Sequence, residues 1–320
     1  MASQSYSKNI IFLFFVWIYL VSFDCSLSIR DRVSSYNGGD MELREQNMPI
    51  GVFKGMRNII PHQMNPGPNN LVKQWDVYTT YVGKDSFNGI QADFSVYGLP
   101  VAPNAASAAM MTVVNRVDPY NYSIIETGWH IDPRTYGDYD PHFYVSWTDD
   151  GDQKTGCLNL HCPGFVLHNS AKYIPGTKLW PLSRYGGDQR YVDLKLYKDN
   201  VSGNWWLYEG LNNYENPVGY FKKEIFSNNF DKASQLYFGG VTAYPVYSKA
   251  SPLGSGHWYY EGDNKAAQFN HIKFIDTEGN AFAPDKSKVS SIVSINCYGI
   301  SDFIYHDYGS SFFYGGPGKC

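Results

Sequence analysis

Three things are scarce in this 320-residue sequence: positive charge in excess, apolar runs beyond the first two dozen residues, and closely spaced metal-binding pairs. The net charge is −4, so no basic face is expected for a phosphate backbone, and nucleic acid is excluded as a partner. The five cysteines form no C-x-x-C pair, and the eight histidines show no H-x-H or H-x-x-x-H spacing. A catalytic or structural metal is therefore not expected, and nothing in the chain calls for a cofactor. No G-x-S-x-G occurs, and Gly254-Ser255-Gly256 lacks the following helix that a nucleophile elbow requires. The terminal GGPGK lacks the strand-to-helix setting of a phosphate loop.

What is present points to strands. Charged residues make up only 18 %, whereas aromatic residues reach 17 % with 27 Tyr, a balance that favours β-structure over helical bundles. The one long apolar run, Ile10 to Phe23, follows Lys8 and precedes the small or polar Cys25, Ser26 and Ser28. That order reads as a secretory signal peptide over residues 1–26, and the run is shorter than the roughly 20 residues a membrane span needs. The expectation is a secreted, extracellular protein of the cell wall or vacuole, with no membrane attachment after signal removal. Four cysteines then remain, an even number in an oxidising compartment, and they allow three pairings. Cys157 and Cys162 are placed to clip a hairpin end, Cys297 and Cys320 to tie the last strand to the C-terminus. Asn121 and Asn200 stand in N-x-S sequons suited to surface loops.

Residues 27–74 are polar and rich in Pro, Gly and Asn, and read as an irregular leader. From Trp75 to Cys320 many short strands separated by turn signals predict one all-β domain, an antiparallel β-sandwich with one short helix. The helix is placed at Lys222 to Ala233, where Ile225, Phe226 and Phe230 share one side at helical spacing. In the adjacent pair Trp205 and Trp206, alternation turns at least one ring inward.

Ser123 to Phe165 is the most informative stretch. Ile125, Thr127, Trp129 and Ile131 alternate with Glu126, Gly128, His130 and Asp132, and Phe143, Val145 and Trp147 alternate with His142, Tyr144, Ser146 and Thr148. Pro133, Gly137, Asp138 and Asp140 mark the connection of a half-buried antiparallel pair. Glu126 thus faces away from the core and is the leading candidate for chemistry. His130 lies on the same face about 13 Å further along, too far for direct contact. His257, in the glycine-rich GSGHW loop, is a second cleft candidate, with Tyr144 and Asp138.

The ordered segments IIETGWHIDPRTYGD, SWTDDGDQKTGCLNLHCPGF, KDNVSGNWWL, NPVGYFKKEIF, LYFGG, LGSGHW and FFYGGPGKC resemble the neprosin family of secreted plant proteins over roughly Trp75 to Cys320. The resemblance implies an antiparallel sandwich and glutamic endopeptidase activity beside proline, with two glutamates in a cleft and a proline-rich peptide or protein as substrate. Carried over residue by residue, it makes Glu126 the first glutamate, with a role in activating water, and pairs Cys157 with Cys162 and Cys297 with Cys320. The second glutamate would follow a glycine pair as G-G-E, and here that position is Val241. The leader also lacks the family's inhibitory pro-segment signature. Amide hydrolysis by paired carboxylates needs one to take a proton from water and the other to act as acid, and valine does neither. Asp138, Asp149, Glu209 and Glu261 are the nearest substitutes in motif terms. The reading is a secreted glutamic, proline-directed endopeptidase working best at acid pH, weakened or silenced at Val241. The alternative is a non-catalytic binder of proline-rich or glycosylated cell-wall ligands on the same fold. A glycosidase has only generic carboxylate logic behind it.

Overall fold

The computed structural model describes residues 71–81, 85–116, 122–151, 154–211, 215–293 and 296–320. In chain order the strands are β1 (Leu71–Thr80), β2 (Gly89–Ser95), β3 (Ala106–Arg116), β4 (Tyr122–Ile131), β5 (His142–Thr148), β6 (Cys157–Leu158), β7 (Phe165–Leu167) and β8 (Tyr191–Lys198). They continue as β9 (Trp205–Glu209), β10 (Asn216–Phe221), β11 (Gln235–Pro245), β12 (Ala267–Ile275), β13 (Ala281–Phe282), β14 (Val289–Val293), β15 (Gly299–Ile300) and β16 (Ser310–Gly315). One antiparallel sheet runs β14-β1-β11-β3-β4-β5-β6. The other runs β15-β16-β12-β2-β8-β9-β10-β7, with β13 on the flank of β12. This is the β-sandwich the alternating sequence predicts.

The main core lies between the sheets. Ile125, Trp129 and Ile131 of β4 and Phe143 and Val145 of β5 meet Ile90, Ala92 and Phe94 of β2 and Leu194 and Leu196 of β8. The reverse face of the first sheet carries a second apolar set that includes Trp75, Val77, Ala108, Met110, Tyr144, Tyr237 and Val241. Both faces of β1, β3, β4 and β11 are consequently buried.

The one α-helix among the described residues lies elsewhere than at Lys222 to Ala233. It is α1 (Pro133–Tyr136), inside the connection between β4 and β5. Asp132 caps it by accepting from the Arg134 N–H, Pro133 opens it, and Gly137 closes it in the left-handed conformation at φ 75°. The expected helix is instead a 3₁₀ turn at Lys223–Ile225. Asn229 and Phe230 adopt φ of 57° and 45°, and the Asn228 side chain accepts from the Phe230 N–H. That local bond competes with helix propagation, while Phe226 and Phe230 reach the core by packing edge to face at 5.1 Å. Trp205 points inward and donates its indole N–H to Phe230 O. Trp206 points outward and packs 4.7 Å from Tyr220.

One inward position on β1 breaks the apolar pattern. Asp76 is 0 % exposed, opposite Gly240 of β11, and neither carboxyl oxygen has a hydrogen bond of good geometry, the Gly315 and Gly299 N–H groups standing near it without closing on it. Burial pushes its pKa up to about 8, against a partial offset from the backbone N–H groups of Gly315 and Gly299. The native state therefore holds this proton where the unfolded chain, with an ordinary carboxyl near 3.8, has lost it. Stability contributed by that difference is present at low pH and declines as pH rises from about 4 to 8. Asp76→Asn should accordingly raise the midpoint of thermal unfolding, and by more at pH 8 than at pH 5. An equal shift at both values, measured by circular dichroism melts, would contradict the neutral buried acid.

Candidate functional site

The site begins with the register of β3, β4 and β5. Glu126 pairs with Thr112 on β3 and Ser146 on β5, and Gly128 pairs with Met110 and Tyr144. Glu126 faces away from the main core, as the alternation requires, but it is only 4 % exposed. Thr112 Oγ1 donates to Glu126 Oε2 at 3.0 Å, and the Tyr144 hydroxyl donates to Oε1 at 2.5 Å. Burial drives the Glu126 pKa up to about 7; the two hydroxyl donors and the positive charge of Lys73 hold it from rising further. The carboxyl therefore changes charge near neutrality, the range in which a general base is most effective.

Tyr144 reaches Glu126 because the position opposite it carries no side chain. A Cβ on Gly128 would lie 2.0 Å from the Ala109 carbonyl oxygen and 2.9 Å from Met110 Cα, so no other residue fits there. The lane over Gly128 is left to the phenol ring. Its face is covered by His130, stacked at 4.3 Å and 16°. His130 Nε2 is 2.6 Å from the Tyr136 hydroxyl, which also accepts from Asn159 Nδ2 at 3.0 Å. Tyr136 in turn stacks on His142 at 3.7 Å and 3°. The His142 ring is fixed at both nitrogens, by Gly176 O at 2.7 Å and Asp138 Oδ1 at 3.0 Å. Burial lowers the His130 pKa to about 4, so the ring stacked on Tyr144 is neutral at neutral pH.

The other predicted residues fall into two groups. Tyr144 belongs to the Glu126 site, and Asp138 joins it at a distance through His142. Burial works against the Asp138 anion, but the Asp140 N–H, His142 and Lys178 hold its carboxyl below the usual range, which suits a fixed anion rather than a proton donor. His257 stacks on Tyr185 at 3.9 Å, with Nδ1 3.5 Å from Glu261 Oε1, and these partners are not shared with Glu126. Among the other substitutes weighed for the missing glutamate, Asp149 is held by Ser123 and the Ser227 N–H, Glu209 lies in the second sheet, and Glu261 accepts from the Trp258 N–H. None of them stands beside Glu126.

Val241 is buried on the same sheet face, between Trp75 of β1 and Ala108 of β3. Relative to Glu126 it is two strands over and four positions along, since Val241 pairs with Ala108 whereas Glu126 pairs with Thr112. At standard sheet spacings that is on the order of 15 Å between Cα atoms, wide enough for a peptide between two long side chains. Gly239 occupies the row between them, and a Cβ there would meet Asp76 O at 2.4 Å. The disulfides are Cys157–Cys162 and Cys297–Cys320, the pairing the resemblance implies. Asn200 is exposed in the turn before β9. Asn121, the signal segment and nearly all of the leader lie outside the described residues. Among the described residues no group of three His, Cys, Asp or Glu is arranged to hold a metal ion, and no helix is long and apolar enough to cross a membrane.

A family model described as Neprosin matches residues 103–317, about two thirds of the chain and all of the strands that build this site except β1. The chain belongs to the Neprosin family. Among solved structures it is similar to scytalido-glutamic peptidase bound to a transition-state analogue inhibitor, at 11 % identity and a TM-score of 0.43, covering 76 % of this chain and 98 % of that one. It is also similar to SCP-B, a member of the Eqolisin family of peptidases, in complex with the tripeptide Ala-Ile-His, at 9 % identity and a TM-score of 0.42, covering 77 % and 98 %.

In this Neprosin-family chain the residues that sequence reasoning missed are Thr112, Gly128 as a steric requirement, Tyr136 and Asn159. Thr112 sits at an outward position of β3 and is visible only once β3 and β4 are in register. Replacing it by valine removes one hydroxyl from an anion-stabilising pair, so Thr112→Val should move Glu126 titration from near 7 to higher pH. Infrared difference spectra of the carboxyl band, with Glu126→Gln identifying the band, measure this. A band that titrates in the ordinary carboxylate range would contradict the geometry.

Proposed function

We infer that the protein is a secreted glutamic endopeptidase that cuts beside proline with a single carboxylate, at a rate reduced by the valine at position 241. The observation that carries this reading is Glu126: a buried carboxylate, held by two hydroxyl donors, that titrates near neutrality on a sheet face of a Neprosin-family chain. Such a group is ionised enough to take a proton from water and basic enough to make the transfer favourable. The substrate class, a proline-containing peptide or protein, is what the family resemblance implies, while secretion rests on the N-terminal apolar segment and Asn121 and Asn200 stand in sequons that would accept glycans.

The raised pKa changes the expected pH response. A pair of coupled carboxylates divides its titration and works in acid, whereas a lone buried carboxyl at about 7 becomes a base only as pH approaches neutrality. On this reading cleavage should rise as pH approaches neutrality, where the acid pair of the family pattern would favour acid. A second reading, a binding protein without turnover, is favoured by one specific feature: Val241 is packed against Trp75 and Ala108, an apolar surface where the family pattern has an acid.

Cleavage of a quenched proline-containing peptide by the purified protein from about pH 3 to 8 decides between them. The wild type should cleave slowly, Glu126→Gln should be inactive, and Val241→Glu should gain roughly 10²-fold or more by restoring a second acid. Wild type and Glu126→Gln equally silent, with retained binding of the peptide, would establish the non-catalytic reading instead.

A further inference from the structure

The Glu126 site holds more architecture than a general base needs. Two donors already satisfy the carboxyl, and Thr112 alone would meet one oxygen. Yet the second donor, Tyr144, is fixed by successive contacts: the bare lane over Gly128, the stacked His130, the Tyr136 hydroxyl pinning that histidine, and the His142 ring stacked on Tyr136. The outermost ring is locked by Asp138 and the Gly176 carbonyl. Support of this depth is what a reacting group requires to be held within about 0.5 Å of a productive position. A phenol that only solvated a carboxylate would need none of it.

Resting on the peptidase reading, we propose that Tyr144 is the second catalytic group of this site and supplies the donor that Val241 cannot. When water enters beside Glu126, the Tyr144 hydroxyl turns from the carboxyl to the carbonyl oxygen of the scissile amide. Glu126 takes a proton from the water as the water oxygen bonds to the carbonyl carbon, and the carbonyl π pair moves onto its oxygen, where the Tyr144 O–H donates. Collapse re-forms the carbonyl and breaks the C–N bond, and the proton on Glu126 passes to the leaving nitrogen. Tyr144 keeps its own proton throughout. This agrees with its surroundings, because burial and the neighbouring Glu126 hold its ionisation well above the ordinary phenol range. A neutral donor aimed at a developing oxyanion in a water-poor site typically accounts for about 10²- to 10³-fold in rate.

The test separates this role from simple tuning of Glu126. Both Tyr144→Phe and Thr112→Val remove one donor from the carboxyl, so both should move the acid limb of the kcat profile to higher pH. With a quenched proline-containing peptide, Thr112→Val should lose activity chiefly through this shift, and on the plateau above the limb its loss should be at least about 10-fold smaller than that of Tyr144→Phe. Tyr144→Phe should stay about 10²-fold below wild type there, with KM little changed and thermal unfolding within a few degrees of wild type. Recovery of Tyr144→Phe on the plateau overturns the proposal and leaves Tyr144 as a tuning residue, with the peptidase reading intact. A wild type that matches Glu126→Gln at every pH overturns both.

Discussion

A carboxylate buried in a sheet face, with two hydroxyls in contact and no ion pair closing on it among the described residues, is the constraint around which this molecule is arranged. Desolvation disfavours its charge, and the hydroxyls and the more distant Lys73 return part of what burial removes. The balance leaves a group poised between states. Satisfying it requires that three strands be held in one register, because Thr112, Glu126 and Tyr144 come from β3, β4 and β5 and a slip of one residue would turn each to the opposite face. Gly128 enforces part of this register, since its neighbours admit no Cβ.

The aromatic character of the sequence finds its use in the same place. Tyr144, His130, Tyr136 and His142 form two stacked pairs joined by the hydrogen bond between His130 and Tyr136, and α1 exists to deliver Tyr136 to them. Its four residues are too few to be stable alone, so the helix depends on the Asp132 cap, the opening proline and the Gly137 stop. Asp132 also pairs with Arg134 at 2.8 Å and accepts from Thr135, which fixes the turn against β4. A cap, a turn and two stacks thus translate a local sequence signal into the placement of one phenol.

Period-two alternation made β4 and β5 legible, including the face that Glu126 and Tyr144 share, because alternation is a property of the strand alone. What was not legible depends on pairs of strands. The Tyr144 to Glu126 bond is a diagonal across two strands and needs their register. Asp76 lies between Trp75 and Val77, a pattern that reads as a polar residue facing water, yet both faces of β1 are buried and the acid is enclosed. The Asp132, Pro133 and Gly137 signals were all in the sequence, but they also describe a turn, and only the backbone decides between a turn and one turn of helix. At Lys222 to Ala233 the error ran the other way: apolar spacing imitated a helix, and the asparagines at 228 and 229 ended it through their own backbone preferences.

Val241 gives these elements their functional direction. A second carboxylate across the face would couple to Glu126, and the two would titrate as a pair with one pKa driven down and the other up. With valine there, packed on Trp75 and Ala108, that coupling is absent, and burial set against Tyr144, Thr112 and Lys73 decides the Glu126 pKa. The face then pairs one ionisable group near its Thr112 row with an apolar surface near its Ala108 row. The substitution at 241 therefore exchanges an acid for an apolar, buried surface while leaving the Glu126 end of the face and its hydroxyl donors in place.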